Sequence, residues 1–105
     1  MTLTATEASK RTCEICSLAP IVPVLVIHNP ADATGLAKAL VAGGLPALEI
    51  TLRTPASLEA IRLMAKVSGG YVGAGTLVTP EDVRAAKAAG ASFGVSPGAT
   101  DELIA

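Results

Sequence analysis

Three prolines that each follow a helix-capping side chain set the spacing of the chain. The pairs Asn29-Pro30, Thr54-Pro55 and Thr79-Pro80 recur every 25 residues in a sequence of 105. Asn and Thr are good N-caps, and proline is tolerated at the first helical position because its missing N–H would have no partner there. The spacing therefore predicts three helices of similar length, one beginning at each pair.

Short apolar or alternating runs precede these predicted helices, and glycines follow them. The predicted strands are Ile21–Ile27, Leu45–Leu52, Tyr71–Ala74 and Phe93–Ser96. The first helix is expected to bury Ala33, Leu36, Ala37, Leu40 and Val41. The second helix, Pro55 to about Val67, is expected to bury Leu58, Ile61 and Ala65, and the third to run from Pro80 to Ala89. An additional helix is predicted over Thr4–Ser17, and Thr100 is expected to cap a further one.

Strands that alternate with helices at this spacing indicate βαβ units and a parallel sheet. The segment LEITLRT, residues 48–54, alternates between apolar and polar side chains. One face of that strand would carry Leu48, Ile50 and Leu52, and the other Glu49, Thr51 and Arg53. An edge strand facing water explains this pattern, but strands of a flavodoxin-like sheet should be apolar on both faces. The lumen of a (β/α)₈ TIM-barrel fits better, with the chain supplying about the first four βα units after an extra N-terminal helix.

Composition and charge exclude several classes of protein. The chain is 50% hydrophobic with a net charge of -1, and it has one Tyr, one Phe and no Trp, which argues against a nucleic-acid surface. The longest strongly apolar run, residues 21–27, is shorter than the ~20 residues that span a bilayer. No signal peptide is evident, so we expect a cytoplasmic protein without a membrane anchor. Cys13 and Cys16 have no second Cys or His pair to complete a zinc site, and are interpreted as two incidental thiols.

Four runs in the sequence carry a resemblance to a known family: PVLVI, AKALVAGGLPALEITLRT, VGAGTLVTP and AAGASFGVSPGAT. From Ala19 to Ala105 the chain resembles the N-terminal half of bacterial 2-keto-3-deoxy-6-phosphogluconate aldolases, which often also act as 4-hydroxy-2-oxoglutarate aldolases. The resemblance implies a class I aldolase without metal or cofactor, on a (β/α)₈ barrel that usually forms trimers. Its products would be pyruvate with glyceraldehyde 3-phosphate, or pyruvate with glyoxylate. Residues 1–105 would be the N-terminal half of one barrel domain.

The resemblance also assigns roles to four residues. Glu49 would be the general acid/base, Arg53 and Thr76 would bind the carboxylate end of the keto acid, and Pro97 would line the pyruvate pocket. Chemistry agrees, because a guanidinium can grip a carboxylate with two hydrogen bonds and a buried glutamate can be tuned for proton transfer. For Glu49 and Arg53 the simpler alternative is a structural ion pair. For the GAGT segment, residues 73–76, the simpler alternative is a tight turn between a strand and a loop. His28 is interpreted as a loop residue.

The family's Schiff-base lysine lies on a later strand, in a stretch similar to FKFFP that this sequence lacks. The chain has four lysines, all on predicted helices: Lys10, Lys38, Lys66 and Lys87. None is expected at the carboxyl end of a strand, where an amine nucleophile would be needed. The leading hypothesis is therefore the N-terminal half of such an aldolase, without its nucleophile. A non-catalytic, self-assembling half-barrel and another barrel enzyme acting on phosphorylated sugars are the alternatives.

Overall fold

A computed structural model describes residues 3–105. Within these residues, four α-helices alternate with four short strands, after a first helix that precedes the sheet. A single 3₁₀ turn, Pro30–Asp32, leads into the second helix. The elements in chain order are α1 Ala5–Cys16, β1 Val24–Leu25, α2 Ala33–Ala42, β2 Ala47–Thr51, α3 Ser57–Ala65, β3 Tyr71–Gly75, α4 Pro80–Ala89, β4 Phe93–Gly94 and α5 Asp101–Ile104.

The four strands form one parallel sheet in the order β1-β2-β3-β4. In the register, Glu49 of β2 lies between Val24 of β1 and Gly73 of β3, and Gly73 in turn pairs with Phe93 of β4. A doubly wound sheet reverses its strand order at a switch point, whereas a barrel adds each strand beside the one before. The sequential order confirms the predicted α/β fold of TIM-barrel type and its first four βα units.

One hydrophobic core fills the space between the sheet and the helices α2, α3 and α4. From β2 and β3 it takes only alternate residues, which belong to one face of the sheet. Its fully buried members include Ala33, Ala37, Leu48, Ile50, Ala60, Ile61, Met64 and Ala74. The core helices therefore pack on one face of the sheet, which corresponds to the convex outer face of a barrel. The opposite face, which corresponds to the lumen of a barrel and is called the concave face below, is left for other chemistry.

Capping residues fix most of the helix ends where the sequence predicts them. Thr4 and Thr79 each form a capping box, with Glu7 and Asp82 respectively, and Thr100 accepts a hydrogen bond from the backbone of Leu103. Gly90 ends α4 in a left-handed conformation, φ 109°, which costs glycine little because it has no Cβ. The predicted helices Thr4–Ser17 and Pro80–Ala89 are thus confirmed.

Two details predicted for the first and second helices are wrong, in addition to the start of the second helix described below. The helix expected at Asn29-Pro30 starts as the 3₁₀ turn, with the Asn29 side chain accepting from the N–H of Ala31, and becomes α-helical only at Ala33. Ala65, expected inside, is exposed, because the buried stripe of α3 consists of Ser57, Ala60, Ile61 and Met64. That stripe follows the i, i+3, i+4, i+7 spacing from Ser57, and Ala65 lies to one side of it.

Within residues 3–105, none of the helices combines the length and the apolar character that crossing a membrane would require.

Candidate active site

The alternation of β2 separates a core face from a polar face, as the sequence predicts. Leu48 and Ile50 are buried in the helix-facing core, while Glu49 and Thr51 point to the concave face. Thr51 is only 2% exposed, and its hydroxyl donates a hydrogen bond to the carbonyl of Leu25 in β1 at 3.2 Å. Thr51 therefore ties two strands together, which leaves Glu49 as the polar group of β2 that is free for chemistry.

Glu49 is unusually buried for a carboxylate on an open sheet face, with 8% of its surface exposed. Burial raises the pKa of Glu49 above its ordinary value, and the positive charge of Arg53 partly opposes this. Glu49 and Arg53 do not form the structural ion pair considered as an alternative, because the ion pairs found among residues 3–105 are Arg62–Glu59 and Arg84–Glu81. A carboxyl group with a raised pKa and no fixed partner is suited to general acid/base catalysis.

Arg53 and Thr76 come together at the carboxyl edge of the sheet. Each follows the end of a strand, β2 or β3, and the Nε of Arg53 lies 3.4 Å from the Oγ1 of Thr76. Arg53 is exposed, so its remaining donors are open to a ligand. The pair brings a guanidinium and a hydroxyl to one point above β2 and β3, a combination of donors that suits a carboxylate.

Thr76 has a strained backbone. Its φ is 61°, in the left-handed region that a β-branched residue rarely adopts. Conformations of this kind cost about 1–3 kcal/mol and tend to be kept where they serve a function. At Thr76 the left-handed turn follows directly on β3 and holds the hydroxyl near Arg53.

The loop that carries Arg53 is anchored by a hydroxyl pair that the sequence does not reveal. The Thr54 hydroxyl donates to the carbonyl of Ile27, after β1, instead of capping the next helix as predicted. The Ser57 hydroxyl donates to the carbonyl of Thr51 at 2.8 Å and accepts from the N–H of Thr54 at 3.2 Å. Helix α3 consequently begins at Ser57, two residues later than Pro55, and both strand ends are fixed to its first turn.

The other candidate residues lie at the edges of this arrangement. Pro97 is exposed in the turn after β4, at the same carboxyl edge of the sheet, and His28 is exposed after β1. No contact ties Pro97 to the Arg53–Thr76 pair, so its part in a pyruvate pocket stays a prediction. Cys13 and Cys16 are exposed free thiols on α1. All four lysines are exposed: Lys10, Lys38 and Lys87 lie on α1, α2 and α4, and Lys66 is the C-cap of α3.

We expect Glu49→Gln to stabilise the chain at neutral pH. A carboxyl whose pKa is raised by folding binds its proton more tightly in the folded state, so its ionisation costs stability. That contribution is favourable below the ordinary value of 4.5 and is lost as the pH rises through the higher pKa of the folded state. Urea unfolding should therefore show a gain for Glu49→Gln at neutral pH that disappears in acid. Exposed Glu59→Gln should show no such gain; equal behaviour of the two variants would mean that burial does not perturb Glu49.

Comparison with known proteins places this chain in a family. The model of the family described as "Aldolase: KDPG and KHG aldolase" matches residues 12–105. A 2-dehydro-3-deoxy-phosphogluconate aldolase of Zymomonas mobilis is 54% identical over 89 residues, which are 85% of this chain and 43% of the relative. The chain thus spans less than half the length of this relative.

Solved structures agree with the sequence comparison. The crystal structure of 2-keto-3-deoxy-6-phosphogluconate aldolase from Zymomonas mobilis superposes with a TM-score of 0.84 at 53% identity, covering 87% of this chain and 44% of that one. The Legionella pneumophila enzyme, with pyruvate captured as a covalent carbinolamine, gives a TM-score of 0.80 at 44% identity over 86% of this chain and 44% of its own. The chain belongs to the KDPG and KHG aldolase family.

Proposed function

We propose that residues 1–105 form the N-terminal half of a single TIM-barrel domain that acts as a class I aldolase. The substrate would be 2-keto-3-deoxy-6-phosphogluconate, cleaved to pyruvate and glyceraldehyde 3-phosphate, and/or 4-hydroxy-2-oxoglutarate, cleaved to pyruvate and glyoxylate. The observation that carries the proposal is the buried Glu49 on the concave face, on the strand that leads to the Arg53–Thr76 pair. Membership of the aldolase family supports the reaction class.

Glu49 would move protons during the reaction. In class I chemistry an amine adds to the keto carbon to give a carbinolamine, which loses water to become an iminium. A base then removes the proton of the substrate's aldol hydroxyl, the C–C bond breaks to release the aldehyde, and the electron pair of that bond passes toward the iminium nitrogen to give an enamine. Protonation of the enamine carbon and addition of water to the resulting iminium would then release pyruvate and the free amine. Because burial raises its pKa, the Glu49 carboxyl takes up a proton more readily than an ordinary glutamate, and this suits a group that accepts and returns protons during a reaction.

Arg53 and Thr76 would bind the carboxylate of the keto acid. A carboxylate seated on the exposed guanidinium and the Thr76 hydroxyl would place the neighbouring keto carbon above β2 and β3, the strands that carry Glu49 and Gly75. Pro97, after β4, would close one side of the pyruvate pocket. Binding of this kind would fix the substrate's orientation before any bond changes.

The amine nucleophile would come from residues outside these 105. The four lysines of the chain are exposed on helices or at a helix end, and none follows a strand at the carboxyl edge. The carbinolamine trapped in the Legionella pneumophila relative supports amine chemistry in the family. This chain would therefore supply the acid/base and carboxylate-binding groups of a shared barrel site.

A chimeric enzyme tests the proposal. We would replace the matching stretch of the Zymomonas mobilis aldolase with residues 19–105 of this chain, which the 54% identity makes feasible. The chimera should release pyruvate from 2-keto-3-deoxy-6-phosphogluconate at a rate within about tenfold of the parent enzyme, because a well-matched barrel half preserves the geometry of the site. Arg53→Ala should raise KM for the keto acid in the chimera, and exposed Arg62→Ala should not. A folded chimera without aldol cleavage would refute the assignment.

The concave face also favours a second candidate, a non-catalytic half-barrel that self-associates. Val24 lies in β1 and Val95 directly follows β4. Their side chains belong to that face and are 60% and 41% exposed. Exposed apolar side chains in this position are usually buried against another surface, here either the remaining strands of a barrel or another copy of the chain. The homo-oligomer expected from the family resemblance is part of this proposal.

A further inference from the structure

Gly75, the last residue of β3, faces the side chain of Glu49. In the register Gly75 pairs with Thr51, so any side chain at position 75 would point to the concave face. A Cβ placed there would lie 2.8 Å from Cδ and 3.0 Å from Cγ of Glu49, and closer still to Oε1. The Glu49 carboxyl group thus occupies the volume in which every other residue would have its side chain.

Glycine is required at position 75 because there is no room for a side chain, and not because of its backbone conformation. The glycines with positive φ are Gly44, Gly69 and Gly90, whereas Gly75 has the extended conformation of a strand residue. An alanine could adopt this backbone without strain. The three atoms nearest to its methyl group would all belong to the flexible Glu49 side chain, which can move away.

The second concave-face glycine of β3 has a different neighbour. A Cβ on Gly73 would overlap the ring of Phe93, lying 2.5 Å from its Cδ2. Gly73 is the direct register partner of Glu49, so the shortest path for the Glu49 side chain would lead over Gly73. The carboxylate instead leans two residues further along β3, over Gly75 and toward the carboxyl edge where Thr76 meets Arg53.

We propose that Gly75 is a positioning residue: its bare backbone lets Glu49 extend across β3, so that the carboxylate is held beside the Arg53–Thr76 pair. This placement can be tested on the chain alone, and its effect on turnover rests on the proposed aldolase function. Within residues 3–105, the charged group that acts on Glu49 is Arg53. The residues that face it from the adjacent strands, Val24 and Gly73, carry no charge.

A methyl group at position 75 should push the carboxylate off β3 into the open concave side. The main cause of the raised pKa of Glu49, burial, would then weaken. In ¹³C carboxyl NMR titrations of the 105-residue chain, Gly75→Ala should titrate Glu49 at lower pH than the wild type. The signal is assigned by its loss in Glu49→Gln. Gly35→Ala is the matched control, because nothing lies within 4 Å of a Cβ on that residue of α2. An unchanged Glu49 titration in folded Gly75→Ala would overturn the proposal.

A rescue experiment covers the case in which Gly75→Ala does not fold. If Gly75→Ala does not fold because its methyl group overlaps the Glu49 carboxyl group, then Gly75→Ala combined with Glu49→Ala should restore a native ¹H–¹⁵N spectrum. The smaller alanine at position 49 would no longer overlap the methyl group. Failure of the double variant to fold would show that glycine is needed for a reason unrelated to Glu49. That result would also overturn the proposal.

In the chimera, Gly75→Ala should lower kcat by about tenfold or more with KM nearly unchanged, because small misplacements of a reacting group have effects of this size. The Glu49 limb of the pH–rate profile should shift to lower pH, a change that a merely structural fault would not cause. Gly35→Ala should leave both constants as they were. An inactive chimera combined with the expected NMR shift would refute the aldolase function alone, while an unmoved pH limb would refute the role of Gly75.

Discussion

In the chimeric aldolase, Glu49→Gln should lower turnover of 2-keto-3-deoxy-6-phosphogluconate by about 10²-fold or more while the barrel remains folded. General acid/base catalysis contributes about 10²–10⁴-fold, and glutamine keeps the shape of glutamate without a proton to exchange. On the part of the concave face that residues 3–105 form, no other acid or base lies beside Glu49 on the strands, because Thr51 is bonded to Leu25 and the adjacent strands present Val24 and Gly73. Pyruvate release, followed with a coupled dehydrogenase, gives the rate.

The stability of Glu49→Gln shows whether a loss of turnover comes from catalysis or from unfolding. Since Glu49→Gln is expected to raise stability at neutral pH, loss of turnover in a more stable protein would separate catalysis from folding. Glu59→Gln is the matched control: Glu59 is a half-exposed glutamate of α3, paired with Arg62 on the outer surface. Cleavage at a near-normal rate by the Glu49→Gln chimera would remove Glu49 from the proton-transfer role.

Sequence patterns correctly predict those parts of the fold that depend on residues close together in the chain. Thr79 and Asp82 form a capping box within four residues of sequence, so the start of α4 can be read directly from the chain. The alternation of LEITLRT likewise predicts which side of β2 enters the core, because a strand has a period of two. Both predictions depend on nearest neighbours, and both are confirmed.

Contacts between distant segments explain why the predicted helix cap at Thr54 is wrong. Thr54 looks like an N-cap, but its hydroxyl bonds to the carbonyl of Ile27, 27 residues away. Ser57 takes over the anchoring of the loop by bonding to the carbonyl of Thr51. A buried carbonyl without a partner costs about 1–3 kcal/mol, which is enough to override a capping preference of about 1 kcal/mol.

The candidate site shows the same division. The face of Glu49 follows from the sequence, whereas the direction of its carboxylate depends on the missing side chain of Gly75 in the next strand. A GAGT segment suggests only a tight turn when taken alone. The functional importance of its last residue, Thr76, is indicated by its left-handed backbone and its hydrogen bond with Arg53. Only the register between β2 and β3 brings these features together.

The concave face leads to an expectation for the isolated chain in solution. Val24, Val26 and Val95 are 60%, 45% and 41% exposed, and they follow the alternation that places Glu49 on this face. Strands β1 and β4 lie at the ends of the sheet and each has one side without a neighbouring strand. Exposed apolar side chains beside open strand edges are features that proteins usually cover.

We therefore expect residues 1–105 to self-associate at micromolar concentration, with two copies covering each other's concave faces. Val24→Asn should weaken the association by about 10-fold or more, because burying a valine contributes about 1.5–3 kcal/mol and 1.4 kcal/mol corresponds to a tenfold change in affinity. Val78→Asn is the matched control, since Val78 is 59% exposed in the loop before α4 and is not part of the sheet. Sedimentation velocity across a dilution series provides the measurement. A folded species of 10.4 kDa at every concentration would contradict the expectation, and would show that the open face is stable in water without a partner.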